Sequence, residues 1–155
     1  MAHVEVISAG PEQEPVLANL LELYAHDFSE FFDIELGADG KFGYPQLPLY
    51  WSEAGRHACL VRADGALAGF VLVKRAAAVW DMAEFFVARR YRRRGIGTAV
   101  AHEVWRQFPG RWEVRVMQVN LAAYAFWGRT IAAFTGGAAE SVVVEGWHVF
   151  SFESI

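Results

Sequence analysis

The chain has 155 residues, is 54% hydrophobic and 15% aromatic, and carries 18 acidic against 14 basic residues for a net charge of −4. This composition argues against disorder, and the length suits a single domain over residues 1–155 that buries roughly 70% of its unfolded surface. The lone cysteine, Cys59, excludes a disulfide framework within the chain. No apolar run approaches the ~18 residues of a membrane span, and the N-terminal MAHVEVISAG has no basic n-region and no secretion signal. The expectation is a soluble cytoplasmic protein with no membrane partner.

In chain order, Val4, Val6 and Ile7 predict a short strand, broken by Gly10-Pro11. Residues 12–27 read as a helix, with Val16, Leu17, Leu20, Leu21 and Tyr24 at helical spacing. Residues 27–51 mix aromatic and acidic side chains with repeated Gly and Pro; 28–34 suit a short helix and 37–48 a loop. Such a long loop in a compact chain is either functional or a lid packed by its own aromatics. Residues 57–62 and 67–75 are strands joined at Asp64-Gly65, a hairpin signal. A third strand covers 78–87. Residues 96–108 follow as a helix with Ile96, Val100 and Val104 on one stripe, stopped before Pro109. A strand at 112–119, a helix at 121–133 and a hairpin from 140–145 and 147–152 complete the chain. There is no repeat, linker or low-complexity tract.

The most informative stretch joins the third strand to its helix. Arg92, Arg93, Arg94, Gly95, Ile96, Gly97 and Thr98 lie between them. A glycine turn opening a helix aims several backbone N–H groups at one spot, adds the positive end of the helix dipole, and lets a ligand approach the main chain. Five arginines crowd residues 88–94 of an otherwise acidic chain. Focal charge of this kind suits a small polyphosphate better than a nucleic-acid duplex, whose binders spread basic charge over a face. A dinucleotide GxGxxG fingerprint would need glycine where Val100 stands, and no Gly-Lys-Ser/Thr is present for a Walker loop. The bland alternative is a basic, solvated helix start.

The pattern Arg92-x-x-Gly95-x-Gly97 after a strand and before a helix resembles motif A of the GNAT superfamily, the acetyl-CoA-dependent N-acetyltransferases. The element order β, α, (α), β, β, β, α, β, α, β, β is similar to that of the same superfamily. Asn120-x-x-Ala123-x-x-Phe126-Trp127 resembles its N-x-x-A-x-x-F-Y, with Trp127 where tyrosine is common. The resemblance covers most of the chain and is strongest over residues 83–127. It implies an α/β (α+β) GNAT fold: a mixed, mostly antiparallel, splayed sheet flanked by helices, with the acyl donor entering the splay. It implies acetyl-CoA as co-substrate, its pyrophosphate held by residues 92–98 and its pantetheine arm paired with the backbone of Phe85, Phe86 and Val87. Asn120, Phe126 and Trp127 join this donor-binding set.

Transfer to an amine also needs a base. Glu84 sits in an apolar strand, where a carboxylate is costly to bury unless paired and acquires a raised pKa. Alternation puts it with Phe86 on one face, Phe85 and Val87 on the other. Its structural alternative is an ion pair with Arg62 or Arg115; Asp81 is the second candidate base. Tyr124, about one turn before Trp127, is the candidate proton donor to the departing thiolate, the alternatives being water for the chemistry and core packing for the residue. Thr98 offers a hydroxyl to the phosphates, whereas Arg89, Arg90 and Arg93 also fit a solvated face. Cys59 reads as core, and the five histidines show no metal spacing, so no metal is expected. Trp51 is either a packing residue or part of the acceptor site.

These residues together predict a direct acetyl transfer from acetyl-CoA to the primary amine of a small molecule, with no nucleic-acid partner. The acidic residues of 27–39 point to a cationic acceptor such as a polyamine, an aminoglycoside or a lysine-like amine. The alternative is a non-catalytic acyl-CoA-binding sensor module. The C-terminal hairpin offers an apolar edge for a homodimer; neither the acceptor nor the oligomeric state is fixed by the sequence.

Overall fold

The computed structural model describes residues 2–155. Seven strands, β1 Val4–Ser8, β2 Arg56–Ala63, β3 Ala66–Ala76, β4 Val79–Val87, β5 Gly110–Met117, β6 Glu140–Val144 and β7 Trp147–Ser154, form one sheet in the order β1-β2-β3-β4-β5-β7-β6. All neighbours are antiparallel except β4 and β5. Four helices complete the fold: α1 Glu14–Phe28, α2 Leu49–Ser52, α3 Ile96–Gln107 and α4 Leu121–Thr135. Among the described residues no helix is long and apolar enough to cross a membrane.

Strand alternation divides the core between two faces. Leu17 and Leu21 of α1 pack with Leu60, Phe70, Leu72 and Phe86 on one face. Ile96, Val100, Val104 and Trp105 of α3 pack with Val61, Val71, Val73 and Trp112 on the other. Burying both faces explains why β3 reads as a nearly continuous apolar run.

The elements follow their local signals. Gly95 takes the left-handed conformation (φ 73°) that opens α3, and the helix stops at Phe108, next to Pro109. Asn120 caps α4 by accepting from the Ala123 N–H at 3.1 Å, and Gly136 (φ 67°) closes it. Several expectations shift. Pro11–Gln13 is a 3-10 turn, so α1 starts at Glu14 rather than residue 12 and runs to Phe28. No helix follows over 28–34. There Ser29 turns its hydroxyl onto the His26 carbonyl at 2.6 Å, a local bond that competes with helix continuation. The short helix α2 lies in a stretch that sequence alone left without structure. β5 ends at Met117, before residue 119, because Gln118 donates to the Gly146 carbonyl in the hairpin turn instead of extending the strand.

Two irregularities in β4 shape the site. Leu72 pairs with Glu84 and Val73 with Met82, so Ala83 is an extra residue, a bulge. Trp80, Met82, Phe85 and Val87 consequently face α3 and α4, while Ala83 and Phe86 face α1. The ladder between β4 and β5 holds for only three pairs, Val79 with Arg111, Trp80 with Trp112 and Asp81 with Glu113. Beyond it the two strands part.

Candidate functional site

The parting of β4 and β5 opens a slot of about 270 Å³ between residues 82–85 of one strand and 114–117 of the other. Asn120 and Trp127 from α4 wall one side, and Tyr24 and Phe28 from α1 wall the other. Trp127 is fixed there by edge-on contact with Phe85, ring centres 4.8 Å apart, and with Phe126 at 4.9 Å. The position where the resemblance commonly has tyrosine is thus an aromatic wall.

Glu84 stands at the rim of this slot, and neither Arg62 nor Arg115 pairs with it. Its two carboxylate oxygens accept hydrogen bonds from two phenols: Tyr24 of α1 at 2.8 Å and Tyr44 at 2.7 Å. The second phenol comes from the loop that sequence left open. That loop is pinned to α1 by Glu22, whose oxygens accept the N–H groups of Phe42 and Gly43, both at 2.8 Å. Burial pushes the Glu84 carboxyl above the usual glutamate range; the two phenols hold it down, but less strongly. Burial and then the Glu84 charge raise both tyrosines, so they remain donors. Asp81, the second candidate base, is also raised by burial, and its Oδ2 lies 3.9 Å from Lys74 Nζ.

A second, polar cavity of about 370 Å³ shares Asp81, Ala83 and Glu84 with the slot. Tyr44, Tyr50, Arg56 and Lys74 also line it. Glu84 therefore stands where two spaces meet, one narrow and apolar-walled, the other charged. Asp33, Glu35 and Asp39, the basis of the expected cationic acceptor, are exposed and line neither space. Trp51 is likewise elsewhere, donating its indole N–H to the Ala9 carbonyl at 2.8 Å.

At the far end of β4 lies the glycine turn. Arg93 (φ 62°) and Gly95 (φ 73°) both take left-handed conformations, and no side chain caps the start of α3. Its first N–H groups have no partner inside the helix. Arg90, Arg93 and Arg94 are exposed and make no ion pair among the described residues. These features fit an anionic group such as a pyrophosphate. Several residues of the motif also have partners within the protein. Arg92 is engaged inside the protein, donating to Asp27 at 2.6 Å and to the Val87 carbonyl at 2.7 Å. Arg89 donates to the other Asp27 oxygen, also at 2.6 Å. Ile96 anchors the core with its side chain. A Cβ on Gly97 would lie 3.0 Å from the Phe126 ring, so this glycine lets α3 and α4 approach closely without a shift of that ring. The Thr98 hydroxyl, expected at the phosphates, is 2.9 Å from the Thr130 hydroxyl between those helices.

Tyr124 is not brought to the slot. It is half-exposed and stacks on His148, with ring centres 4.0 Å apart, because the helix turns it toward β7. Cys59 is buried in the core, and burial pushes its thiol up to about 11. Among the described residues no group of three or more His, Cys, Asp and Glu side chains gathers to hold a metal ion. Sequence reasoning missed Tyr24 as a partner of Glu84, since it lies on the apolar stripe of α1. It missed Tyr44 because nothing local relates a loop residue to a strand 40 positions later.

Solved structures share this architecture. An acetyltransferase from Thermus thermophilus aligns with a TM-score of 0.73 and 16% identity, over 97% of this chain and 96% of that one. The PaiA N-acetyltransferase from Thermoplasma acidophilum, solved in complex with coenzyme A, aligns at 0.67 and 12%, over 97% and 99%. The ribosomal-protein-S18-alanine N-acetyltransferase from Escherichia coli aligns at 0.65 and 11%, over 98% and 94%. No curated protein matches this chain in sequence. The profile of the acetyltransferase (GNAT) family matches residues 17–131, and the chain belongs to that family.

Proposed function

We propose that this protein moves an acetyl group from acetyl-CoA directly to the primary amine of a small molecule, with Glu84 as the base. The observation that carries this reading is the position of Glu84. It is a half-buried carboxylate held by Tyr24 and Tyr44 where the slot and the polar cavity meet. Acetyl-CoA supplies an activated acyl group on a thioester.

The chain's own residues do the rest. The uncapped start of α3, with the exposed Arg93 and Arg94, faces the pyrophosphate. Arg92 and Gly97 act one step back, by holding the turn and by letting α3 pack on α4. The backbone of Phe85, Phe86 and Val87, free of β5, pairs with the pantetheine arm as an added strand would. An N–H there polarises the thioester carbonyl, an oxyanion-hole contribution of ~3 kcal/mol. Phe126, Trp127 and Asn120 shape the far wall. Glu84 takes the proton of the attacking amine. The nitrogen–carbon bond forms as the carbon–sulfur bond breaks, and the thiolate takes its proton from water, since Tyr124 does not line the slot.

Calorimetric titration of acetyl-CoA, followed by an amine screen for release of the free thiol, tests this. Micromolar binding with turnover on an amine is expected. Binding without turnover on any amine would favour a non-catalytic acyl-CoA-binding module; no binding would overturn the reading of the turn.

A further inference from the structure

The polar cavity beside Glu84 carries more charge than a simple amine needs. Arg56, Lys74 and Asp81 stand in one row across β2, β3 and β4, because Arg56 pairs with Lys74 and Lys74 with Asp81 in the strand register. Two cations directly opposite one another on neighbouring strands repel. Each finds only partial relief: Lys74 lies 3.9 Å from Asp81, and Arg56 reaches Glu53 at 3.2 Å through its Nε alone. The guanidinium of Arg56 lies over the ring of Tyr50, 5.3 Å from its centre. The Tyr50 hydroxyl is buried with no hydrogen-bond partner among the described residues, and Tyr50 lines the same cavity. A buried hydroxyl with no partner among the described residues, beside two facing cations, makes a donor set that suits an anion.

Asp81 and Glu84 add two carboxylates to the lining of the same cavity. Neighbouring strands are ~4.8 Å apart, and Arg56 and Asp81 lie two strands apart with Lys74 between them, so a small zwitterion can reach from one to the other. Resting on the acetyltransferase reading above, we infer that the acceptor is an amino acid. Its amine is received at Glu84 and Asp81. Its carboxylate is received by Arg56, Lys74 and the Tyr50 hydroxyl. The product is then an N-acetyl amino acid, formed with release of the thiol of coenzyme A. Of the cationic acceptors suggested by the acidic loop, a polyamine or an aminoglycoside lacks the anionic end that this cavity suits, whereas lysine has it.

The test uses matched sets offered to the full-length protein saturated with coenzyme A. Each set holds an amino acid, its carboxamide and the decarboxylated amine, with aliphatic, basic and aromatic side chains represented. 2-Aminoethyl phosphate and a C-terminally amidated tripeptide are included. Binding is read by calorimetry, and turnover with acetyl-CoA by thiol release. At least one free amino acid should bind ~10-fold or more tightly than its carboxamide and its decarboxylated amine. That preference should shrink toward unity in Arg56→Gln and in Lys74→Gln, and fall several-fold in Tyr50→Phe, whose loss of one oxygen spares the packing. Equal binding across a set, binding of none, or preference for the phosphate or the peptide would overturn the inference. Selective binding of amino acids without turnover would uphold the amino-acid site while refuting the transferase reading, so the two fail separately.

Discussion

Arg92 ties Asp27, in the last turn of α1, to the Val87 carbonyl at the end of β4, with bonds of 2.6 and 2.7 Å from one guanidinium. A carboxylate at a helix C-terminus meets the negative end of the dipole, and here two arginines compensate it. Burial pushes Asp27 up, but the hydrogen bonds from Arg92 and then Arg89 outweigh it and leave the carboxyl below its ordinary value. Its contribution to stability is therefore present above the ordinary aspartate pKa and lost as pH falls through the folded one. The first arginine of the motif is a clasp between helix and strand. Arg92→Ala should cost about 1–2 kcal/mol without any ligand, a fall of roughly 3–6 °C in Tm for a chain of this size. Arg93→Ala and Arg94→Ala should leave Tm within a degree or so while weakening acetyl-CoA. A Tm unchanged by Arg92→Ala in the free protein would place that guanidinium on the ligand instead.

Glu84→Gln separates chemistry from stability. The amide retains partners for both phenols but removes a buried charge. Because the folded pKa of Glu84 lies above its unfolded value, its titration favours folding below the ordinary glutamate pKa, and that contribution is lost as pH rises through the folded value. At neutral pH the variant should melt higher by about 2–4 °C while kcat drops ~10²-fold. The wild-type acid limb of kcat/KM should lie above pH ~4.3, the ordinary glutamate value, and vanish in the variant. Unaltered turnover would remove Glu84 from the mechanism.

Gly69 allows β3 to approach the end of β4. A Cβ there would sit 2.0 Å from the Phe86 carbonyl oxygen and 3.1 Å from the Val87 Cα, both backbone atoms that cannot swing aside. Gly69→Ala should destabilise by ~3 kcal/mol or more, visible as a large drop in the denaturant midpoint. A loss under ~1 kcal/mol would show that the strands part more readily than their geometry allows.

The β3–β4 turn is a place to gain stability. Ala77 (φ 51°) and Ala78 (φ 64°) both adopt a left-handed conformation that alanine disfavours. Asn-Gly is the preferred pair for a two-residue hairpin turn. Ala77→Asn with Ala78→Gly should add about 1 kcal/mol, and thermal unfolding should shift upward by roughly 2–4 °C. Since the turn touches neither cavity, kinetic constants should follow wild type.

The order of elements and the glycine turn were legible in the sequence because each depends on neighbours within a few positions. Gly95 at a helix start, Asp64-Gly65 in a hairpin and Pro109 at a helix end all declare themselves locally. The partners of Glu84 did not, because Tyr24 and Tyr44 reach it from 60 and 40 residues away through a fold that must exist first. The bulge at Ala83 was equally hidden: alternation counted from Glu84 toward Phe86 holds, but counted back toward Met82 it fails by one residue. Gly97 is ambiguous in sequence for a different reason: a glycine at a close approach reads the same whether it faces a ligand or, as a Cβ there would, the Phe126 ring.

The three-pair seam between β4 and β5 also divides the molecule in time. Strands β1 to β4 form a meander closed by two tight hairpins, and β5 to β7 form a second antiparallel group. Only Val79, Trp80 and Asp81, with Arg111, Trp112 and Glu113, sew the two groups into one sheet. The β2–β3, β3–β4 and β6–β7 hairpins close over short turns, whereas each seam pair joins residues a whole crossover apart, so those hairpins are expected to assemble before the join. The slot borders that join. It is therefore expected to take shape only after the short-range hairpins on either side of it have closed.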